Sequence, residues 1–237
     1  MRKALINLMA ITTILAGCSK EASFETGTGS NNGNGGGGGN NGGGQSGSGT
    51  YQPTSANSYW HYKETGDITA DYTITSTGQK TTINSIDYYT FNSTGSAGNV
   101  QSYMGVKNHN YYVLDQGTSP NSGASFDLNF LYLNDTASVG YTWQNAAGQG
   151  NGFTAETPGS VVEKGISLTV QGKSYTDVIH TQEELQYDIP GLGLLTFATY
   201  DYYVAKGIGI IRVVAAGDPT LAGGFHSTTD LVDYSIK

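Results

Sequence analysis

The feature that most constrains this chain is an alternation of period two that recurs from about residue 58 to the C-terminus. Within 68–75, Ile68, Ala70, Tyr72 and Ile74 fall on one face, and Thr69, Asp71, Thr73 and Thr75 fall on the other. That is the pattern of a half-buried β-strand. Phe126, Leu128, Phe130 and Tyr132 repeat it opposite Asp127 and Asn129. Further strands are expected near 58–64, 80–91, 99–107, 109–115, 152–157, 160–170, 173–187, 194–206, 208–215 and 229–236. Turn residues separate them at Thr77-Gly78, Ser93-Thr94-Gly95, Asn108, Gln171-Gly172, Gly191-Leu192-Gly193 and Lys206-Gly207. No amphipathic helix exceeds two turns, although 219–226 or 117–124 leaves room for a short one. About ten to twelve strands joined by tight turns imply an all-β, antiparallel fold. A β-sandwich, a closed barrel or a strongly curled half-barrel would each manage its edges, and periodicity does not choose among them.

The strands occupy only part of the chain. Residues 25–50 are almost entirely Gly, Asn, Ser and Thr, most extremely from Gly33 to Gly44. Such a segment buries too little to offset its ordering entropy. Gly33, Gly35 and Gly38 match G-x-G-x-x-G, but a dinucleotide site needs a strand before that motif and a helix after it. As a random coil, residues 19–50 would span roughly 30 Å. The organisation read from sequence is therefore a leader over 1–17, a tether over 18–50 and one β-rich domain over 51–237.

The leader combines basic Met1-Arg2-Lys3 with an apolar stretch from Ala4 to Ala16. It is shorter than the roughly 20 apolar residues a membrane-spanning helix requires, and reads as a signal peptide. Leu15-Ala16-Gly17-Cys18 resembles the bacterial lipobox, and Cys18 is the sole cysteine of the 237 residues. The resemblance implies that Cys18 is lipidated and becomes the mature N-terminus. Two or more acyl chains would then anchor the protein stably to a membrane. Ser19-Lys20-Glu21 is similar to the export signals that follow the lipidated Cys in Bacteroidota-type surface lipoproteins. The expected location is the outer membrane, facing the cell surface or the periplasm.

Charge and composition exclude other classes. The formal net charge is −8, from 11 basic and 19 acidic residues. A nucleic-acid partner is not expected, because phosphate neutralisation needs a basic surface. A single Cys makes neither an internal disulfide nor a zinc ribbon. His61, His109, His180 and His226 show no H-E-x-x-H or H-x-H spacing, so neither a metal nor another cofactor is expected. His61 and Glu64 should face oppositely along a strand. His180 and Glu184 should share a face, about 13 Å apart. No G-x-S-x-G, EF-hand or P-loop occurs. Asp87 and Asp201 each precede a tyrosine doublet. Asp135-Thr136-Ala137 matches a short O-glycosylation sequon of Bacteroidota-type exported proteins.

Three tyrosine doublets, Tyr88-Tyr89, Tyr111-Tyr112 and Tyr202-Tyr203, lie inside expected strands. Neighbouring strand residues point to opposite faces, so each doublet should give one ring to a core and the other to a second face. Tyr88, Tyr112, Trp143, Tyr200 and Tyr202 are the candidate ligand-lining residues.

Several segments, in order, carry a further resemblance: Tyr59-Trp60-His61-Tyr62, Val139-Gly140-Tyr141-Thr142-Trp143, Asp177-Val178-Ile179-His180, the run from Tyr202 to Ile211, and Leu231-Val232-Asp233-Tyr234. They resemble bacterial envelope lipoproteins of a TapB-like, broadly LolA-like kind. That resemblance implies an antiparallel sheet curled into a half-barrel or incomplete barrel. It supplies no catalytic or binding residue by position. The functional expectation is a lipid-anchored, noncatalytic binding module for an apolar ligand or a glycan. An extracellular polysaccharide hydrolase with two close carboxylates is one alternative. An assembly lipoprotein docking on an envelope partner is another.

Overall fold

The computed structural model describes residues 49–95, 98–118, 125–150 and 152–237. Cys18, the leader and nearly all of the tether lie outside the described residues. Fourteen strands follow in order: β1 (Tyr59–Gly66), β2 (Ala70–Ile83), β3 (Ile86–Gly95), β4 (Gly98–Lys107), β5 (Asn110–Thr118), β6 (Ser125–Asn134), β7 (Thr142–Trp143), β8 (Ala146–Gly150), β9 (Phe153–Glu156), β10 (Gly159–Val170), β11 (Lys173–Ile189), β12 (Gly193–Ala205), β13 (Gly209–Gly217) and β14 (His226–Ser235). No helix occurs among the described residues. Within 219–226, a candidate helix, the chain instead turns at 219–222, where Asp218 Oδ1 accepts from the N–H groups of Thr220 and Leu221, and β14 begins at His226. Residues 119–124, most of the other candidate, lie outside the described residues.

Local chemistry explains the hairpins. Asn84-Ser85, Asn108-His109 and Gln171-Gly172 all hold positive φ angles. They are two-residue loops whose twist matches that of the flanking strands. The first corrects the expectation of one strand over 80–91, because the chain reverses at Asn84-Ser85. Thr77-Gly78 is correspondingly not a turn. It lies in an irregularity of β2 where pairing jumps from Ser76↔Phe91 to Lys80↔Tyr89. Gly78 has φ 71° there. Thr77 Oγ1 donates to Thr90 O at 2.9 Å, which ties the irregularity to the partner strand.

Every ladder is antiparallel, and neighbours in sequence mostly pair. Closure depends on β11. One edge of β11 pairs with β12 from Val178 to Ile189. On its other edge, residues 173–183 pair with β10, and Gln186 and Tyr187 pair with β9. Since β9 pairs with β8, β8 with β6, and β14 with β1, twelve strands close into a ring, with β10 and β7 attached outside it. The incomplete barrel expected from sequence is thus corrected to a closed barrel, and the sandwich alternative is not realised. The missing link in sequence was β8, whose Ala-Ala-Gly-Gln-Gly carries no period-two signal.

The interior is filled mainly by large side chains. Trp60, Phe91, Phe130, Tyr132, Tyr187, Tyr200, Tyr202 and Met104 are fully buried. Trp60 Nε1 donates to Ile208 O at 2.6 Å and Tyr62 OH to Ile210 O at 2.8 Å. One barrel end carries the β2–β3, β4–β5 and β12–β13 turns, and the segment entering from residue 49 closes it. Tyr51 and Gln52 are buried there. Gly207 N–H donates to Thr50 O, Tyr51 N–H to Tyr111 OH, and Tyr132 OH to Gln52 Oε1. The opposite end carries the β1–β2, β11–β12 and β13–β14 connections.

Gly148 sits at the β6–β8 contact that closes the ring, with φ 121°, where a Cβ would collide with the Asp127 carbonyl. Gly148→Ala should lower the unfolding free energy by about 2 kcal/mol or more in chemical denaturation. Gly140→Ala, at φ 84° in open space, should cost about 1 kcal/mol.

Candidate functional site

The strongest chemical feature is a group of acids and tyrosines inside the barrel, and strand alternation produces it. On β11, Ile179, Thr181, Glu183, Leu185 and Tyr187 point inward, while Gln182, Glu184, Gln186 and Asp188 are less buried. On β12, Ala198, Tyr200, Tyr202 and Val204 point inward. The register sets Glu183 directly opposite Tyr200, and Thr181 opposite Tyr202. Phe130 and Tyr132 of β6 supply the facing wall. Ring centroids lie 5.9 Å apart for Phe130–Tyr200, 5.6 Å for Tyr132–Tyr202 and 6.2 Å for Tyr200–Tyr202. Thr181 Oγ1 bridges to Tyr132 O at 2.6 Å and so joins β11 to β6.

Glu183 has 0% relative exposure. Neither of its carboxyl oxygens has a well-formed hydrogen bond, nor do the hydroxyls of Tyr187, Tyr200 and Tyr202. Buried polar atoms are rarely left in this state, and a concentration of them requires a physical explanation. Burial pushes the Glu183 carboxyl up to about 8, against a weaker downward pull from the Thr157 hydroxyl and the Leu131 backbone. Asp115, on the inward phase of β5 with Tyr111 and Val113, is pushed up to about 7 by desolvation. Burial also raises Tyr187, Tyr200 and Tyr202, and the charge of Asp115 raises all three further. Glu183 acts on Tyr200 and Tyr202 as well. The two acids therefore belong to one electrostatic group.

This group lies toward the barrel end opposite the residue 49–58 closure. Asp115 approaches the end of β5, and Tyr187 approaches the end of β11. Gly150 makes room for the Tyr187 hydroxyl, since a Cβ there would come within 2.6 Å of it. Leu192, on the β11–β12 connection, and Leu194, at the start of β12, are exposed at the same end. A third inward acid, Glu64, accepts from Ser227 Oγ at 2.8 Å, and burial raises its carboxyl too. Among the described residues, no Lys or Arg is buried.

The sequence-derived candidates separate into three places. Tyr200 and Tyr202 lie in the interior group. Tyr88 belongs to a second apolar cluster with Ile86 and Leu114, against which Tyr112 packs. Gly105 lets the Tyr88 ring lie close over the backbone, and Tyr88 OH donates to Asn129 Oδ1 at 2.8 Å. Trp143 is on β7, outside the closed ring, where Gly159 leaves space for its indole. The doublets divide between faces as expected: Tyr111 and Tyr202 enter the main core, and Tyr112 and Tyr203 face the other way.

The remaining candidates form separate surface features. Asp87 pairs with Lys80 at 2.9 Å and accepts from Thr82 at 2.7 Å. Asp201 instead contacts His180 Nε2 at 2.8 Å. His180 stacks on Tyr203 at 4.2 Å, and its Nδ1 contacts Glu163 at 3.3 Å. Burial pulls this imidazole down, but Asp201 and Glu163 outweigh it and hold its pKa above the ordinary value. Glu184 is occupied by Gln186 and Thr196. Thr136 is exposed in the turn after β6, and its hydroxyl donates to Asn134 Oδ1. Among the described residues, no group of three or more His, Cys, Asp or Glu side chains could hold a metal ion.

Sequence reasoning missed Asp115 and Glu183. The available signal was phase: Glu183 alternates with Ile179, Leu185 and Tyr187, which marks it as inward-facing. The conversion of a surface-type residue into a buried acid depends on the opposite wall, and β6 supplies that wall from far away in sequence.

No family model and no curated protein matches the chain. Among solved structures, the chain is similar to one from Parabacteroides distasonis named as a lipoprotein, at 9% identity and a TM-score of 0.47. The match covers 78% of this chain and 98% of that one. It is also similar to one from Bacteroides fragilis named as an exported protein with a YmcC-like fold, at 12% identity and a TM-score of 0.46. That match covers 77% of this chain and 97% of the other.

The two raised acids bind protons more tightly when folded than when unfolded. Their contribution to stability is complete below the unfolded values and is lost as pH rises, between 4.5 and about 8 for Glu183 and between 3.8 and about 7 for Asp115. The thermal midpoint should therefore fall as pH rises from 5 to 8. The limiting slope is about 1.4 kcal/mol per pH unit for each group. Glu183→Gln should flatten the upper part of that profile, measured by calorimetry across the pH range.

Proposed function

We propose that this protein is a lipid-anchored, noncatalytic binding module of the bacterial envelope, with its ligand site in the interior acid–tyrosine group. The observation that carries the reading is the concentration of five buried polar atoms that lack well-formed hydrogen bonds, on Glu183, Tyr187, Tyr200 and Tyr202. A small ligand with polar groups would satisfy them, and the surrounding rings would cover its apolar parts. Binding sites commonly combine a mainly apolar lining with a few convergent polar groups. An acyl chain would leave these polar atoms unpaired in hydrocarbon, at a cost of about 1–3 kcal/mol each. A small polar ligand is therefore favoured over a lipid.

The anchor belongs to the same reading. Cys18 would carry the lipid and place the protein in the outer membrane. The tether would lead from it to the barrel end closed by Tyr51 and Gln52. The Asp115 end would then point away from the attachment, accessible to ligand. This division of the two ends supports a binding module over an assembly protein that docks through its sheet.

Radiolabelled palmitate should label the wild-type protein, and Cys18→Ser should abolish labelling and release the protein from the membrane fraction. Native mass spectrometry of the detergent-extracted wild-type protein should show a small noncovalent adduct, reduced at least about tenfold in Glu183→Gln, as expected for the loss of a buried polar contact. An adduct unaffected by that change would contradict the interior site.

A further inference from the structure

We propose that the barrel wall opens sideways along the seam between β6 and β11, and that Glu183 is the latch that holds this seam shut. The opening is a property of the wall and goes beyond the binding reading. It would supply the route into the interior, where the rings pack directly on one another while the seam is closed.

Three observations carry it. First, the seam is a stretch of wall without a backbone ladder. β6 pairs with β8 only over Phe126–Leu128. From Asn129 to Asn134 its second edge has no strand partner among the described residues. On the other side of the seam, β11 gives its edge to β10 from Lys173 to Glu183, and β10 lies outside the ring. Pairing with β9 begins only at Gln186.

Second, separate side chains hold what the ladder does not. Thr181 Oγ1 donates to Tyr132 O at 2.6 Å. Asn145 Nδ2 donates to Asn129 O at 2.6 Å and to Thr157 Oγ1 at 2.9 Å. Just past the end of β6, Lys164 Nζ donates to Asp135 O at 2.8 Å and to Ala137 O at 3.0 Å. Thr181, Asn145 and Lys164 thus cap carbonyls along this edge. A few isolated side-chain bonds part more readily than a continuous ladder, whose bonds break together.

Third, an acid sits in the middle of the seam. Glu183 lies beside the Thr157 hydroxyl and the Leu131 backbone, which favour its charged form, but burial outweighs them and pushes it up to about 8. Tyr200 and Tyr202 face it from β12, Tyr187 lies on its own strand, and Asp115 acts on the same rings from β5. His180, Glu163 and Asp201 lie on the outer side of β11. No Lys or Arg is buried among the described residues. A protonated carboxyl stays in such surroundings without a charged partner, whereas an ionised one is better placed in water. Opening the seam supplies that water. The closed wall keeps the Glu183 proton up to about 8, and an exposed carboxyl releases it near 4.5. The advantage of the closed state is therefore complete below the exposed value and is lost as pH rises, by up to roughly tenfold in the opening constant per pH unit.

The test is hydrogen exchange of the full-length lipidated protein in detergent, read by mass spectrometry from pH 6 to pH 8, with each rate divided by its intrinsic rate at that pH. The β6 peptide 129–134 should exchange at least about tenfold faster than global unfolding allows, because a local opening precedes it. Its protection should fall by roughly tenfold per pH unit. Sub-denaturing urea should change this exchange far less than it changes the global unfolding constant, the mark of a small opening. In Glu183→Gln the protection should be level across the pH range. Exchange of 129–134 that follows the global unfolding constant in both urea and pH overturns the proposal, and the wild-type protein alone decides this point. A pH dependence retained in folded Glu183→Gln overturns Glu183 as the latch. A seam that opens as described in protein carrying no small-molecule adduct supports the opening and counts against the binding reading alone.

Discussion

The structure depends on the way β11 is shared. Its 17 residues pair along one edge with β12, and along the other first with β10 and then with β9. The change of partner along one edge closes the ring, because β9 connects through β8 to β6. It also brings β6 against β11 over a stretch where side chains span the seam. Thr181 reaches the carbonyl of Tyr132 across it, and Asn145 Nδ2 reaches that of Asn129 at 2.6 Å. Glu183 is the next inward residue after Thr181. Its burial follows from closure, since the same side chain on an open sheet would reach water.

A closed ring of this size has an interior that only large residues can fill, and the chain supplies Trp, Tyr and Phe. Tyrosine brings a hydroxyl with every ring. Near the residue 49–58 closure those hydroxyls find partners: Tyr62 donates to Ile210 O, Tyr132 to Gln52 and Tyr111 to Asp135. Beside Glu183 they do not. Tyr175, near the start of β11, also lacks a partner, but among the described residues several such hydroxyls gather only beside Glu183. An interior acid also links protonation to folding, so the group that would recognise a ligand also makes stability sensitive to pH.

Much of the strand pattern was legible because alternation reports which face is buried. Ile68–Thr75 and Phe126–Tyr132 were readable for that reason. Alternation carries no information where pairing, not hydrophobicity, sets the path. Residues 80–91 looked continuous because Asn84-Ser85 is a turn without Gly or Pro. Residues 146–150 carry no strand signal because their contribution is backbone pairing at Gly148 and Gly150. Closure was illegible for the same reason, since β9 meets β11 through only Gln186 and Tyr187. Of the site, the tyrosines at 200 and 202 stood out by composition. The acids did not, because charge alone suggests solvent and only the opposing strands reveal the interior.

The central claim is that Glu183 is a neutral, buried carboxylic acid at neutral pH. Infrared difference spectroscopy of the wild-type protein against Glu183→Gln at pH 6.5 measures this directly through the carbonyl stretch of a protonated carboxyl. The structure predicts a protonated-acid band present in the wild type, absent from the variant, and converted to the carboxylate band only as pH rises through about 8. A carboxylate band assigned to Glu183 at pH 6.5, in folded protein, would contradict the account.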